Sequence, residues 1–258
     1  MEPAAPGPPA VATYHRATRT ATYGVLAAAP LLLLYEALIL VTGATAYGGV
    51  RISADLWIKR LLAALGVTGG LALGAAALVL GAAVIAWERR RGIRPPLKAK
   101  WFGWIVAESL VYAVVLAALV GGAVGALVGF RAEPAMALLQ PAFGLGTKLA
   151  LSLGAGLYEE LVFRVLLVGG LAWGLRKVLP GRTAAYAVAA VVGALLFSWV
   201  HYVGAFGDAF TLGSFLFRFL FGLALNAVFL VRGFGVAAWT HALYDVLVVT
   251  GLLGFLLG

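Results

Sequence analysis

The chain contains no cysteine. Disulfides, thiolate-ligated zinc, iron–sulfur clusters and thiol nucleophiles are therefore excluded, and so are lipid groups carried on the chain's own cysteines. Charge is scarce as well. Only 11% of the 258 residues are charged, with ten acids and three histidines in the whole chain, whereas an ordinary soluble domain is about a quarter charged. What fills the space is apolar: 63% of residues are hydrophobic, and the mean hydropathy is +1.03. A soluble fold of this length could not bury so much apolar surface, because even a domain of about 300 residues hides only about three-quarters of its chain. The composition is that of an integral membrane protein. The 34 glycines suit close helix packing in lipid.

The net charge of +9 does not point to nucleic acid. Arg89, Arg90, Arg91, Arg94, Lys98 and Lys100 crowd into one short stretch between two long apolar runs, where the positive-inside rule expects a cytoplasmic loop. A spanning helix needs about 20 apolar residues. The fold class expected is all-α and polytopic, with about seven transmembrane helices near 21–43, 67–87, 101–129, 145–173, 184–204, 211–231 and 234–257. Residues 1–18 read as a disordered, Pro/Ala-rich tail, without the basic start of a secretory signal. Residues 19–144 form an N-terminal set of membrane helices and 145–258 the part that carries chemistry.

Segment 53–65 reads as an interfacial helix. Ser53 can cap it, Asp55 and Lys59 are i,i+4 partners, and Trp57 suits the headgroup boundary. If it enters the bilayer, the count becomes eight. Arg16, Arg19, the six-charge loop, Arg176, Lys177, Arg182 and Arg232 fall on one side and outnumber Arg51, Lys59, Arg60, Arg131 and Lys148 on the other. This places the N-terminus in the cytoplasm. The Gly66, Gly70, Gly74 and Gly121, Gly125, Gly129 spacings suggest helix-packing faces.

Ionisable residues inside a membrane are costly and are functional candidates by default. Three spans carry polar clusters. The fourth holds Glu159, Glu160 and Arg164. Glu160 and Arg164 lie four apart on one helical face and can pair, while Glu159 is about 140° around the axis from Arg164 and is left for another role. The fifth ends in Phe197-Ser198-Trp199-Val200-His201, so Phe197 can wall a site beside the imidazole. The seventh carries His241 and Asp245, again i,i+4; a self-satisfied His–Asp bond that only joins helices is the plain alternative. Glu36 can bond a neighbour, and Arg218 and Glu108 can snorkel to an interface. On these boundaries, His201 and His241 differ in depth by about 10–15 Å.

The ordered set Glu-Glu-x-x-x-Arg, Phe-x-x-x-His and His-x-x-x-Asp/Asn resembles the signature of the CPBP family, which comprises the CAAX prenyl protease 2 enzymes and their Abi-like, bacteriocin-processing relatives. The resemblance covers roughly residues 145–250. It implies an intramembrane endopeptidase acting on a membrane-embedded peptide or protein, in which Glu159 and His201 activate water. It further implies that His241 with Asp245 stabilises the oxyanion and that Glu160, Arg164 and Phe197 support the site.

An ionised Asp245 can only accept hydrogen bonds, so it is either protonated or orients His241. Zinc on Glu159, His201, His241 and Asp245 is the alternative; no cofactor is the favoured reading. A His-Glu-x-x-His zincin motif and a Gly-x-Ser-x-Gly elbow are both missing from the sequence. Ala205-Phe206-Gly207-Asp208 lacks the first glycine of a Gly-x-Gly-Asp signature. Rival readings are a proton-coupled transporter, for which no internal repeat is visible, and an inactive scaffold or immunity-type protein. The Ala/Gly/Leu-rich composition suits a bacterial inner membrane.

Overall fold

A computed structural model describes residues 10–42, 53–66, 68, 70–129, 143–203 and 207–257. Arg51, Arg131, the first nine residues and part of the Gly-rich stretch 203–208 lie outside the described residues. Every regular element among the described residues is helical. The helices are α1 (Ala10–Thr18), α2 (Ala21–Val41), α3 (Ser53–Ala64), α4 (Gly70–Arg90), α5 (Ala99–Val128) and α6 (Leu145–Gly154). After α6 the chain continues through two π-helical stretches, Ala155–Glu159 and Leu161–Val168, into α7 (Gly169–Leu175). The remaining helices are α8 (Arg182–Val200), α9 (Leu212–Arg232), α10 (Phe234–Val249) and α11 (Leu252–Leu257). Of these, α2, α5, α8 and α9 are long and apolar enough to cross a membrane. Leu33, Leu40, Leu119 and Val188 stand exposed on the outside, as expected of a lipid-facing surface. The protein is an integral membrane helix bundle.

Local signals explain several boundaries. Thr20 caps α2 by accepting from the Tyr23 amide at 3.3 Å. The Glu88 carboxylate at the end of α4 also accepts from the Ala21 and Thr22 amides at 2.8 and 2.7 Å. A carboxylate there satisfies orphan donors and complements the helix dipole. Thr211 caps α9 through the Ser214 amide at 3.1 Å. Gly233 ends α9 with φ of 86°, and a Cβ there would lie 3.2 Å from the Arg19 backbone. The reversal into α10 therefore needs glycine at that position.

Helix α10 is the hub. It packs against α2, α5, α6, α9 and the first π stretch. One apolar cluster joins Leu31, Tyr35 and Ile39 of α2 to Leu157, Tyr158, Ala238 and Ala242. A second joins Tyr14, Tyr23, Trp101 and Ile105 to Val236. The N-terminal helices thus help to fix the helix that carries His241.

Several expectations need correction. Residues 10–18 are helical instead of disordered. Tyr14 is buried and donates to Glu108 at 2.8 Å, which supplies the packing that the Pro/Ala-rich composition does not advertise. Glu108 does not snorkel, because Arg232 donates to it at 2.8 Å through Nη2 and Tyr112 at 2.9 Å. Arg232, expected as a loop charge, is accordingly buried at the end of α9. Arg218 is buried against Asp208. Gly66 and Gly129 have φ of 83° and 65° with nothing within 4 Å, so they terminate helices and do not pack them. The final apolar run divides at Gly251, where φ is 75°. The helix expected near 53–65 does form, and Lys59 pairs with Asp55 at 2.8 Å and Glu36 at 3.2 Å.

Candidate active site

The three polar motifs meet in one place. Glu159, Glu160 and Arg164 come from the π-helical region, His201 is the residue that ends α8, and His241 and Asp245 lie on α10. The π stretches close hydrogen bonds five residues apart, a geometry concentrated at functional sites. Gly156 lets this region touch α10: a Cβ there would lie 2.5 Å from the Ala238 carbonyl oxygen and from the Ala242 amide nitrogen. That contact brings the glutamates onto the His241 face.

The Glu160–Arg164 pair expected from i,i+4 spacing is present at 3.0 Å, with the side chains 0% and 1% exposed. Glu160 has a second partner that helical spacing could not reveal. Its Oε1 accepts from His241 Nδ1 at 2.8 Å. The depth difference expected between the two histidines does not exist. His201 Nε2 lies 3.8 Å and His241 Nε2 4.0 Å from the same atom, Glu159 Oε2. That oxygen is buried and has no hydrogen-bond partner among the described residues. Asp245 Oδ2 is 3.6 Å from His241 Nε2, too far for a hydrogen bond. The His–Asp spacing therefore does not produce a self-satisfied bond.

The imidazoles are oriented from behind. His201 Nδ1 lies 2.7 Å from the Phe197 carbonyl oxygen. A carbonyl only accepts, so Nδ1 bears the proton, and Nε2 of a neutral ring faces Glu159 as an acceptor. His241 Nδ1 donates to Glu160, which leaves its Nε2 facing Glu159 and Asp245. Phe197 stands edge-on to both rings, with centroids 5.0 Å from His201 and 5.8 Å from His241. The Arg164 guanidinium carbon lies 4.4 Å from its ring centre. Phe221 on α9 meets His241 from the other side at 6.3 Å. The sequence carried no polar signal for Phe221.

Next to this cluster, Arg218 on α9 pairs with Asp208 and lies over the Tyr202 ring at 5.1 Å. Burial pushes the Asp208 carboxyl above the ordinary carboxylate range, with Arg218 acting in the opposite direction. The position of Arg218 in an apolar run predicts an interface residue, whereas the structure buries it against Asp208.

Two carboxylates and two imidazoles are donors that zinc accepts, but the spacing is loose. Ligands at about 2.1 Å in a tetrahedron lie about 3.4 Å apart, against the 3.6–4.0 Å observed. Among the described residues no group of three or more His, Asp or Glu side chains is placed to hold a metal ion. Each separation is too long for a direct hydrogen bond and a few tenths of an ångström wider than that tetrahedral edge.

No curated protein and no solved structure matches the chain. The family model described as Type II CAAX prenyl endopeptidase Rce1-like matches residues 140–247. That range contains Glu159, Glu160, Arg164, Phe197, His201, His241 and Asp245, and over it the chain is similar to the Rce1-like CAAX proteases.

Proposed function

We propose that the protein is a metal-independent, glutamate-type intramembrane endopeptidase that hydrolyses a peptide bond of a membrane-associated substrate of the CAAX kind. The observation that carries this reading is the unpartnered Glu159 Oε2 facing two imidazole Nε2 atoms at 3.8 and 4.0 Å. A water between Glu159 and His201 donates one hydrogen bond to each, since both atoms are acceptors. A lone pair of its oxygen is then aimed at the scissile carbonyl. Glu159 takes the proton as the water attacks and returns it to the leaving amine, which balances the hydrolysis.

The tetrahedral oxyanion falls to His241, whose Nε2–H donates while Nδ1–H stays on Glu160. Asp245 adds a second donor when protonated and otherwise steadies His241. Preorganised donors of this kind are typically worth about 100- to 1000-fold each in rate. Glu160 and Arg164 hold His241 and Phe197 in place.

In this reading the chain crosses the bilayer seven times, with α4, the helix from Leu145 through Leu175 and α10 joining the four long spans. The arginine-rich 89–94 loop and the N-terminus face the cytoplasm. Residues 145–258 carry the catalytic groups, residues 19–144 wall them in, and α3 lies at the interface. A bacterial inner membrane is the compartment inferred.

The test compares peptide termini in membranes of cells carrying the wild-type protein with those carrying Glu159→Gln at equal abundance. Termini that appear only with the wild type establish the protease and reveal its substrate. Identical profiles would overturn the hydrolytic reading.

A further inference from the structure

One buried charge beside the site has no part in the hydrolytic scheme. Arg218 is 9% exposed, and its Nη2 is paired with Asp208 Oδ2. Its Nη1, like Asp208 Oδ1, is buried without a hydrogen-bond partner among the described residues. A buried guanidinium N–H with no acceptor needs a reason. The guanidinium is a planar fork built to take a carboxylate through two parallel bonds, and here Asp208 engages only one arm.

The surroundings hold this arginine in place. Tyr202 lies under the guanidinium at 5.1 Å and is itself held by a 2.7 Å hydrogen bond to Ser214. Asp208 belongs to the loop that follows His201, and its backbone N–H donates to the His201 carbonyl at 2.8 Å. Arg218 therefore borders the His201 end of the cluster. One turn along α9, Phe221 touches His241. The charge of Arg218 also reaches Glu159, His201 and Asp245 electrostatically.

A CAAX motif is the last four residues of a chain. A bond cleaved within it lies at most three residues from a free carboxylate, which is about 10 Å of extended chain. A buried cation beside the water-activating glutamate is one way for a protease to read such an end. We propose that Arg218 is the receptor for the substrate's terminal carboxylate, and that Asp208 is the counter-ion exchanged for it. A second guanidinium arm and a second carboxylate oxygen that both lack a partner among the described residues are what an exchangeable site requires. This inference rests on the hydrolytic reading above and adds the group that recognises the substrate's end.

The test uses the full chain in detergent and two S-farnesylated peptides that end in the same CAAX motif, one a free acid and one a C-terminal amide. The wild type is expected to prefer the acid by about 10- to 100-fold in kcat/KM, mostly through KM, as for a hydrogen-bonded charge pair. Arg218→Gln should erase that preference, Arg218→Lys should keep part of it, and Asp208→Asn should keep all of it.

Equal cleavage of acid and amide by the wild type overturns the proposal. So does an Arg218→Gln enzyme that still prefers the acid, or variants that lower both peptides by one factor together with thermal stability. If Arg218→Gln does not fold, loss of the preference in Asp208→Asn overturns it. Failure of the wild type to cleave either peptide would instead defeat the hydrolytic reading itself.

Discussion

His241 Nδ1 and Glu160 Oε1 lie 2.8 Å apart, although 81 positions separate them in the chain. The same Glu160 oxygen is 3.0 Å from Arg164 Nη1. One buried carboxylate thus neutralises a buried arginine and orients the imidazole that faces the site. Glu160→Gln leaves Arg164 without a counter-charge. Removing one partner of a buried pair typically costs about 3–5 kcal/mol. We expect a large fall in thermal stability in detergent together with loss of cleavage; an unchanged unfolding temperature would contradict this role.

Glu159→Gln should behave in the opposite way. Its Oε2 has no hydrogen-bond partner among the described residues, so the isosteric amide removes no such bond from that oxygen. Activity should drop by about 100- to 10,000-fold, the usual contribution of a general base, while the melting temperature stays close to that of the wild type. Measuring both on one preparation separates chemistry from folding.

Gly156→Ala tests the helix crossing that assembles the site. The new Cβ would meet backbone atoms of Ala238 and Ala242 at 2.5 Å, and backbone cannot rotate away. Overpacking of this kind costs about 1–3 kcal/mol, and α10 must shift, carrying His241 away from Glu159. Gly103→Ala, in α5 with nothing within 4 Å, should be neutral or slightly stabilising. Equal behaviour of the two variants would remove the argument.

The clasp on the N-terminal helix predicts graded losses. Tyr14→Phe removes one hydrogen bond to the charged Glu108 and should cost about 1.5–3 kcal/mol. Glu108→Gln also takes the counter-charge from Arg232, which is buried and bonded to Thr18 at 3.1 Å, and should cost more. Thermal unfolding of the two variants checks the order.

Chelation addresses the metal directly. Because Glu159, His201, His241 and Asp245 stand 3.6–4.0 Å from one another where they face, prolonged treatment with EDTA or 1,10-phenanthroline is expected to leave cleavage unchanged. Loss of activity that zinc restores would show that the four groups close around a metal.

The sequence by itself determined what depends on composition and on short spacing. Scarce charge and long apolar runs demanded a membrane bundle, and i,i+4 geometry paired Glu160 with Arg164 and Asp55 with Lys59 because neighbouring turns of one helix impose those contacts. The ordered acids and histidines marked the candidate site. Only the tertiary structure decided that Glu160 serves His241, that Glu159 faces two imidazoles, that Arg218 meets Asp208, and that Arg232 binds Glu108 and Thr18.

Those distances depend on where helices cross, and the crossings depend on close approaches such as that at Gly156. In lipid, inward-facing and outward-facing positions are both apolar, so hydrophobic patterning does not mark which face of a helix meets its neighbours. The π-helical turns shift the glutamates further from the positions an ideal helix assigns. Local chemistry was therefore legible in the sequence, while the contacts between helices had to be seen.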